Sequence, residues 1–279
     1  MKRLLTHPSL VIGFVATATF LAMALLSLLW TPYPIEQIDI ARRFLAPGAA
    51  HWLGTDNLGR DMLSLVMAGT WTSFLVATVA VAIGVGIGVP LGLAAAAWGG
   101  AVEWVVLRLT DFVFAFPAVI VAILITTLLG PGAVNAIIAI GIFNIPVFAR
   151  VARGGALSIA TLDFVAAGRL AGLGNVLIAC RHLLPNIMSL IIVQGTIQMS
   201  LGILAEAGLS YIGLGTQPPA TSLGLMLRDA QGLFLVHPML TLVPGLTIVL
   251  IVIALNIAGD GLRDAIDPRL RQGNPNVLA

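Results

Sequence analysis

Six apolar runs, most of them close to the thickness of a lipid bilayer, limit what this chain can fold into more than any other feature. They lie at roughly Leu10–Trp30, Thr72–Trp98, Trp104–Leu129, Ala133–Phe148, Ile187–Leu209 and Leu240–Gly259. About 20 apolar residues in a helix cross the hydrocarbon core. A backbone facing lipid must satisfy its own hydrogen bonds, and these runs lack the strict alternation of a barrel strand, so each is expected to be a helix. The expected fold is therefore all-α: a polytopic membrane protein with six transmembrane helices. The composition requires the same solvent. Residues are 59% hydrophobic and 9% charged, against about 25% charged in soluble domains. A formal net charge of +2 without any basic run excludes nucleic acid as a partner, and makes membrane lipid the first partner.

Lys2 and Arg3 precede the first run. That run is too long for a signal peptide's apolar core and ends without a small-x-small cleavage site, so it is read as a retained first membrane helix. The single cysteine, Cys180, excludes an internal disulfide. Orientation follows from the 14 basic residues. With the N-terminus inside, ten fall on inside segments: Lys2, Arg3, Arg108, Arg150, Arg153, Arg169, Arg181, Arg263, Arg269 and Arg271. Four fall outside: Arg42, Arg43, Arg60 and Arg228. Both termini are thus expected in the cytoplasm of a cell bounded by a plasma membrane. Three polar pieces remain: an outer loop from Thr31 to about Trp71, an inner stretch from Arg150 to Asn186, and an outer loop from Ser210 to Met239.

Several chemistries are missing. A phosphate-binding loop needs a lysine in G-x-x-x-x-G-K-[ST], and the only lysine is Lys2. The four histidines (His7, His51, His182 and His237) stand apart, with no H-E-x-x-H, and nothing resembles G-x-S-x-G. The chain is expected to be no enzyme, to hold no metal or cofactor, and to leave any use of ATP and Mg to partner subunits. The middles of the spans are nearly free of charge, against what an ion-coupled carrier usually needs; such a carrier stays as the alternative of a different class. Arg108 and Asp111, at i and i+3, are expected to pair on one helical face. Glu206 marks the outer end of the fifth span and Asp260 the inner end of the sixth.

The inner stretch Asp163–Asn186 reads DFVAAGRLAGLGNVLIACRHLLPN. It is too polar to span and too patterned for slack chain. Two short helices are predicted. The first covers about Thr161–Ala171, with Leu162, Val165, Ala166, the stem of Arg169 and Leu170 on one face, ended by Gly172 as a left-handed cap. The second continues through Arg181, before Pro185 opens the fifth span. Short amphipathic helices of this kind suit docking into a partner's groove.

This segment resembles the EAA loop of bacterial ATP-binding-cassette importer permeases, EAA-x3-G-x9-I-x-L-P. Ala166, Ala167 and Gly168 take the EAA positions; Gly172 follows, then His182, Leu183, Leu184 and Pro185. Ala166 stands where the motif has glutamate, and His182 where it has isoleucine. Three further motifs narrow the match: Leu53–Asp61 (LGTDNLGRD), Ile212–Pro219 (IGLGTQPP) and Gly259–Arg271 (GDGLRDAIDPRLR). Together they look like the C-type subunit of dipeptide, oligopeptide and nickel permeases. The resemblance implies a type I importer permease fold. It divides the chain into residues 1–71 (first helix and periplasmic loop), 72–265 (permease core with the EAA loop at 161–186) and 266–279 (cytoplasmic tail). It implies a second homologous permease, two ATP-binding subunits and a periplasmic or lipid-anchored substrate-binding protein. The cargo would be di- or oligopeptides, with nickel or another small solute as the alternative. Asp163, Ala166, Ala167, Gly168, Gly172, His182, Leu184 and Pro185 would couple to the ATPase, and Asp56, Arg60 and Asp61 would serve a periplasmic contact.

Three more expectations come from the residues. Gly84, Gly88 and Gly92, at i, i+4 and i+8, predict a close helix seam. Pro90, Pro117 and Pro146 are candidate kinks. Asn144, Gln194, Gln198, Glu206 and Asn256 are candidates for the translocation path, and LGTDNLGRD has the composition of a turn whose side chains bond its own backbone.

Overall fold

The computed structural model describes residues 8–266. Lys2, Arg3, Arg269, Arg271 and nearly all of the expected tail lie outside them. The described residues form α1 (Pro8–Leu26), α2 (Met62–Trp98), α3 (Gly100–Phe114), α4 (Ala118–Leu129), α5 (Ala133–Ala160), α6 (Asp163–Leu170), α7 (Asn175–Tyr211), α8 (Leu223–Asp229) and α9 (Met239–Ile266). Five are long and apolar enough to cross a membrane, or six if α3 and α4 count as one span.

The spans differ from the apolar runs in informative ways. The expected straight third span is broken: α3 and α4 meet at 80°. The break falls at Ala115–Pro117, where Pro117 serves as the N-cap of α4 and has no N–H to continue the α3 ladder. Pro146, by contrast, sits inside a continuous α5. Pro90 follows a wide π-type turn at Gly84–Gly88, and α2 runs on through both. The second span begins ten residues earlier than its apolar run, at Met62, because Asp61 caps it by accepting the Ser64 N–H. The short fourth run is the upper half of the 28-residue α5.

In lipid no hydrophobic gain separates helix–helix from helix–lipid contact, so close packing of backbones has to hold the bundle. Glycines provide it at two seams. α2 and α5 run parallel, with Gly84 against Asn144 and Phe148, Gly88 against Ile145 and Phe148, and Gly92 against Ala149 and Ala152. A β-carbon at any of the three would overlap α5 backbone or Cβ atoms. α1 and α9 run antiparallel, with Gly13 against Ala258 and Gly261 against Leu10. Core side chains fill two levels. The upper level gathers Met62, Leu65, Phe74, Ile203, Leu223 and Ile251. The lower level gathers Val89, Leu93, Phe148, Val165, Ile178 and Leu183. Val165 thereby ties α6 to the bundle.

The upper end carries a cap built from residues 27–61 and 212–238. Phe44 stacks on His237 at 4.1 Å, and Arg60 reaches Asp229 at 3.3 Å. The lower end carries α6 and the start of α7.

Candidate functional site

At the lower end, α6 ends in a Schellman cap. Leu173 N–H donates to Gly168 O at 3.1 Å and Gly172 N–H to Arg169 O at 3.0 Å. Gly172 has φ +81° with open space around its α-carbon, so the backbone conformation, not crowding, demands glycine there. The predicted apolar face of α6 is corrected. Only Val165 and Gly168 turn to the bundle, while Leu162, Phe164, Ala166, Ala167, Arg169 and Leu170 point away. Leu170 is 91% exposed. The second predicted short helix is not separate: Asn175 onward is the lower extension of α7, continuous through a π-type turn at Ala179–Leu183 and past Pro185 to Tyr211. His182 tilts against Phe164 at 6.0 Å and closes over Gly168. Asp163 lies in the first turn of α6, Leu184 is half-buried, and Pro185 is exposed.

Along the α5–α7 groove lie two separate cavities, one above the other. The upper is a 560 Å³ cavity walled mainly by apolar side chains of α4, α5 and α7. The lower is a 650 Å³ cavity that includes Arg150, Ser189, Gln194 and Arg263. Asn144 and Gln198 line the upper cavity, and Gln198 Nε2 donates to Asn144 Oδ1 at 2.7 Å. Gln194 lines the lower cavity and approaches Gln198 at 3.5 Å. At 1.5 Å per residue, Asn144 lies about 17 Å and Gln198 about 20 Å below the upper ends of their helices, near mid-membrane. Asn144 Nδ2 is buried without a partner.

Two path candidates are not in this groove. Glu206 is fully buried behind it. Its carboxylate accepts from Ser73 Oγ at 2.7 Å, Ser210 Oγ at 2.6 Å and Thr216 Oγ1 at 3.3 Å, which ties α2, α7 and the following loop together. Asn256 is exposed on α9 and lines neither cavity. The expected Arg108–Asp111 pair is also replaced: Asp111 accepts from Arg150 Nη2 at 2.7 Å, and Arg108 lies over Trp104 at 5.6 Å. Arg108 turns to the Trp104 ring instead, and Asp111 reaches across to α5 for its partner.

In the upper cap, LGTDNLGRD is a turn closed on itself. Asp56 Oδ1 accepts the N–H groups of Leu58 and Arg60, both at 2.8 Å, and Oδ2 accepts Arg60 Nε at 2.6 Å. Asp61 takes Ser64 N–H and Oγ on one oxygen, each at 2.8 Å, and His51 Nδ1 on the other at 2.9 Å. Asp56 and Asp61 are 6% and 4% exposed, so only Arg60 of the three presents donors outward, and it spends one on Asp229. Burial raises the Asp229 carboxyl above its ordinary range, against the opposing pull of Arg60. Asp229 and Ser73 carried no sequence signal, because their partners, Arg60 and Glu206, lie 169 and 133 residues away, and the roles of His51 and Thr216 appear only once the cap brings them onto Asp61 and Glu206. Arg150 and Arg263 were visible only as inner basic residues. Among the described residues, no three His, Cys, Asp or Glu side chains come together as a metal site.

Residues 88–272 match the family described as "Binding-protein-dependent transport system inner membrane component". The chain is 36% identical over 270 residues to the dipeptide transport system permease protein DppC of Alkalihalophilus pseudofirmus, covering 97% of this chain and 89% of that one. It is 37% identical over 262 residues to the glutathione transport system permease protein GsiD of Pectobacterium atrosepticum, covering 92% and 87%. In three dimensions it is similar to a chain of the inward-facing MetNI methionine ABC transporter, with a TM-score of 0.59 and 20% identity, covering 74% of this chain and 98% of that one.

Proposed function

Since the chain belongs to the binding-protein-dependent transport system inner membrane component family, we propose that it is a membrane-spanning permease subunit of an ATP-binding-cassette importer and that its cargo is a small peptide. The cargo rests on relatives whose names specify a dipeptide and glutathione, itself a peptide. The lower end is the cytoplasmic end, with both termini inside, in keeping with the distribution of basic residues. ATP and Mg are bound by two partner subunits. A second permease completes the path, and a substrate-binding protein, periplasmic or lipid-anchored, delivers cargo to the upper cap, where Arg60 is partly exposed. Asp56 and Asp61 hold that turn in shape.

One observation carries this proposal: α6 is fastened to the bundle by Val165 and a Schellman cap, yet leaves Leu170 almost wholly exposed and Phe164, beside His182, partly so. An apolar ledge at the lower end of a membrane bundle is costly in water and useful under a partner's groove. Nucleotide binding that favours one arrangement of the partner pulls on Asp163–Pro185 and shifts the spans between two global states. A ligand moves such an equilibrium only by its unequal affinity for the two. Asn144, Gln194 and Gln198 line the path at its middle.

The test is purification of the tagged chain in mild detergent. The expected eluate holds a second permease and two ATP-binding subunits with ATPase activity, and Leu170→Asp loses the ATP-binding subunits while the chain still inserts. A chain that elutes alone, or a Leu170→Asp variant that retains its ATPase, would overturn the docking surface.

A further inference from the structure

The two cavities along the α5–α7 groove differ in chemistry, and the lower one has the features of a ligand site. Its 650 Å³ falls inside the usual range of about 300–1,000 Å³ for small-molecule pockets. Its wall carries two arginines, Arg150 and Arg263, the amide of Gln194 and the hydroxyl of Ser189, and no carboxylate. Arg150 lies about 26 Å below the upper end of α5 at 1.5 Å per residue, which is the depth of the inner interface.

The neighbouring arginine is held by two of its nitrogens. Arg153 turns both Nε and Nη2 to Glu103. Arg150 instead gives one nitrogen, Nη2, to Asp111 at 2.7 Å, with its guanidinium 4.5 Å from the Phe114 ring centre. A guanidinium has five N–H donors in a fixed fork, so most of those on Arg150 are uncommitted. Gly154 adds a stretch of wall with no side chain, and a β-carbon there would meet nothing within 4 Å.

We infer that this lower cavity is an oxyanion site: Arg150 and Arg263 supply the charge, Gln194 and Ser189 the neutral donors, and the ligand is a single carboxylate or phosphate group. Two sources offer that chemistry at this depth. One is the C-terminal carboxylate of a peptide leaving the mid-membrane amides; this arm rests on the importer proposal above. The other is the phosphate of an inner-leaflet lipid.

The experiment uses the transporter purified with its partner subunits in two kinds of nanodisc. In discs of phosphatidylcholine alone, binding of N-acetyl-dialanine and of its C-terminal amide is followed by calorimetry. In discs that also contain phosphatidylglycerol, the lipid retained is identified by native mass spectrometry. Binding of the acid without the amide assigns the site to cargo. Retention of phosphatidylglycerol without peptide binding assigns it to lipid. In either case Arg263→Gln lowers affinity about ten- to hundredfold, the size of one charge-assisted hydrogen bond, and Arg263→Lys restores most of it. Equal binding of acid and amide with no preference for phosphatidylglycerol overturns the site, as does an Arg263→Gln variant that binds like the parent. Co-purification of the ATP-binding subunits is scored in the same preparation. Loss of the importer proposal is thereby read separately from loss of the anion site.

Discussion

At the scale of single residues, the charged side chains divide into those that hold the chain together and those that stay available. Glu206 belongs to the first kind, since three hydroxyl groups from different parts of the chain converge on it in the interior. Glu206→Leu leaves all three without their acceptor and should cost on the order of 2–4 kcal/mol. Glu206→Gln keeps an acceptor oxygen and should cost clearly less. Thermal unfolding of the detergent-solubilised protein distinguishes them, and equal losses would mean the hydroxyls do not depend on Glu206. Asp229 is the opposite case. Its carboxyl is raised chiefly by burial, with Arg60 opposing. A raised folded-state value means a stabilising contribution that is complete below the ordinary carboxylate range and is lost as pH rises through the raised one. Ionised Asp229 therefore stabilises little at neutral pH despite its contact with Arg60, and Arg60 keeps Asp56 when Asp229 is removed. Asp229→Asn should leave the midpoint at neutral pH unchanged or slightly higher. Any difference from the parent should shrink as pH falls into the carboxylate range; a large drop at neutral pH would show that the Arg60 contact outweighs burial.

At the scale of elements, α6 shows how a short helix is held in place by its ends. Eight residues in water are too few to be stable alone. Val165 docks one face, and the Schellman cap at Gly172 turns the chain toward α7. Gly172→Ala forces an L-residue to φ +81° and should cost about 1 kcal/mol. Gly174→Ala is the internal control, because Gly174 has φ −70° and open surroundings. The expected result is lower uptake per ATP hydrolysed for Gly172→Ala, with normal insertion, and parent behaviour for Gly174→Ala. Identical behaviour of the two variants would remove the left-handed cap from the coupling argument.

At the scale of the whole molecule, orientation and assembly share one built-in probe. Cys180 is the only cysteine and is exposed on the lower extension of α7. A membrane-impermeant maleimide should therefore spare it in spheroplasts and label it in inside-out vesicles stripped of peripheral subunits. Restoring the ATP-binding subunits should slow that labelling if they seat beneath α6 and α7. Labelling in spheroplasts would invert the topology, and with it the assignment of the lower end to the cytoplasm.

Much of this was legible in the sequence because it depends on local composition. The lengths of the apolar runs set the number of spans, counting the bent pair as one; spacing marked the glycine seam at Gly84, Gly88 and Gly92; and ordered motifs marked the family. Tertiary structure decided what depends on distant partners. Pro117 breaks its span while Pro146 is carried within a continuous helix, although both are prolines in apolar runs. Leu170, apolar and on the expected inner face, points outward, because a helix held by Val165 and Gly168 has only a narrow buried face. Glu206 is walled off by hydroxyls from α2 and the 212–216 loop, whereas Asn144 and Gln198 meet across 54 residues of chain. Periodicity reports which residues avoid water, and in a lipid-solvated chain nearly every span residue does. Which of those face a neighbour, a groove or the bilayer is set by the packing of one helix on another.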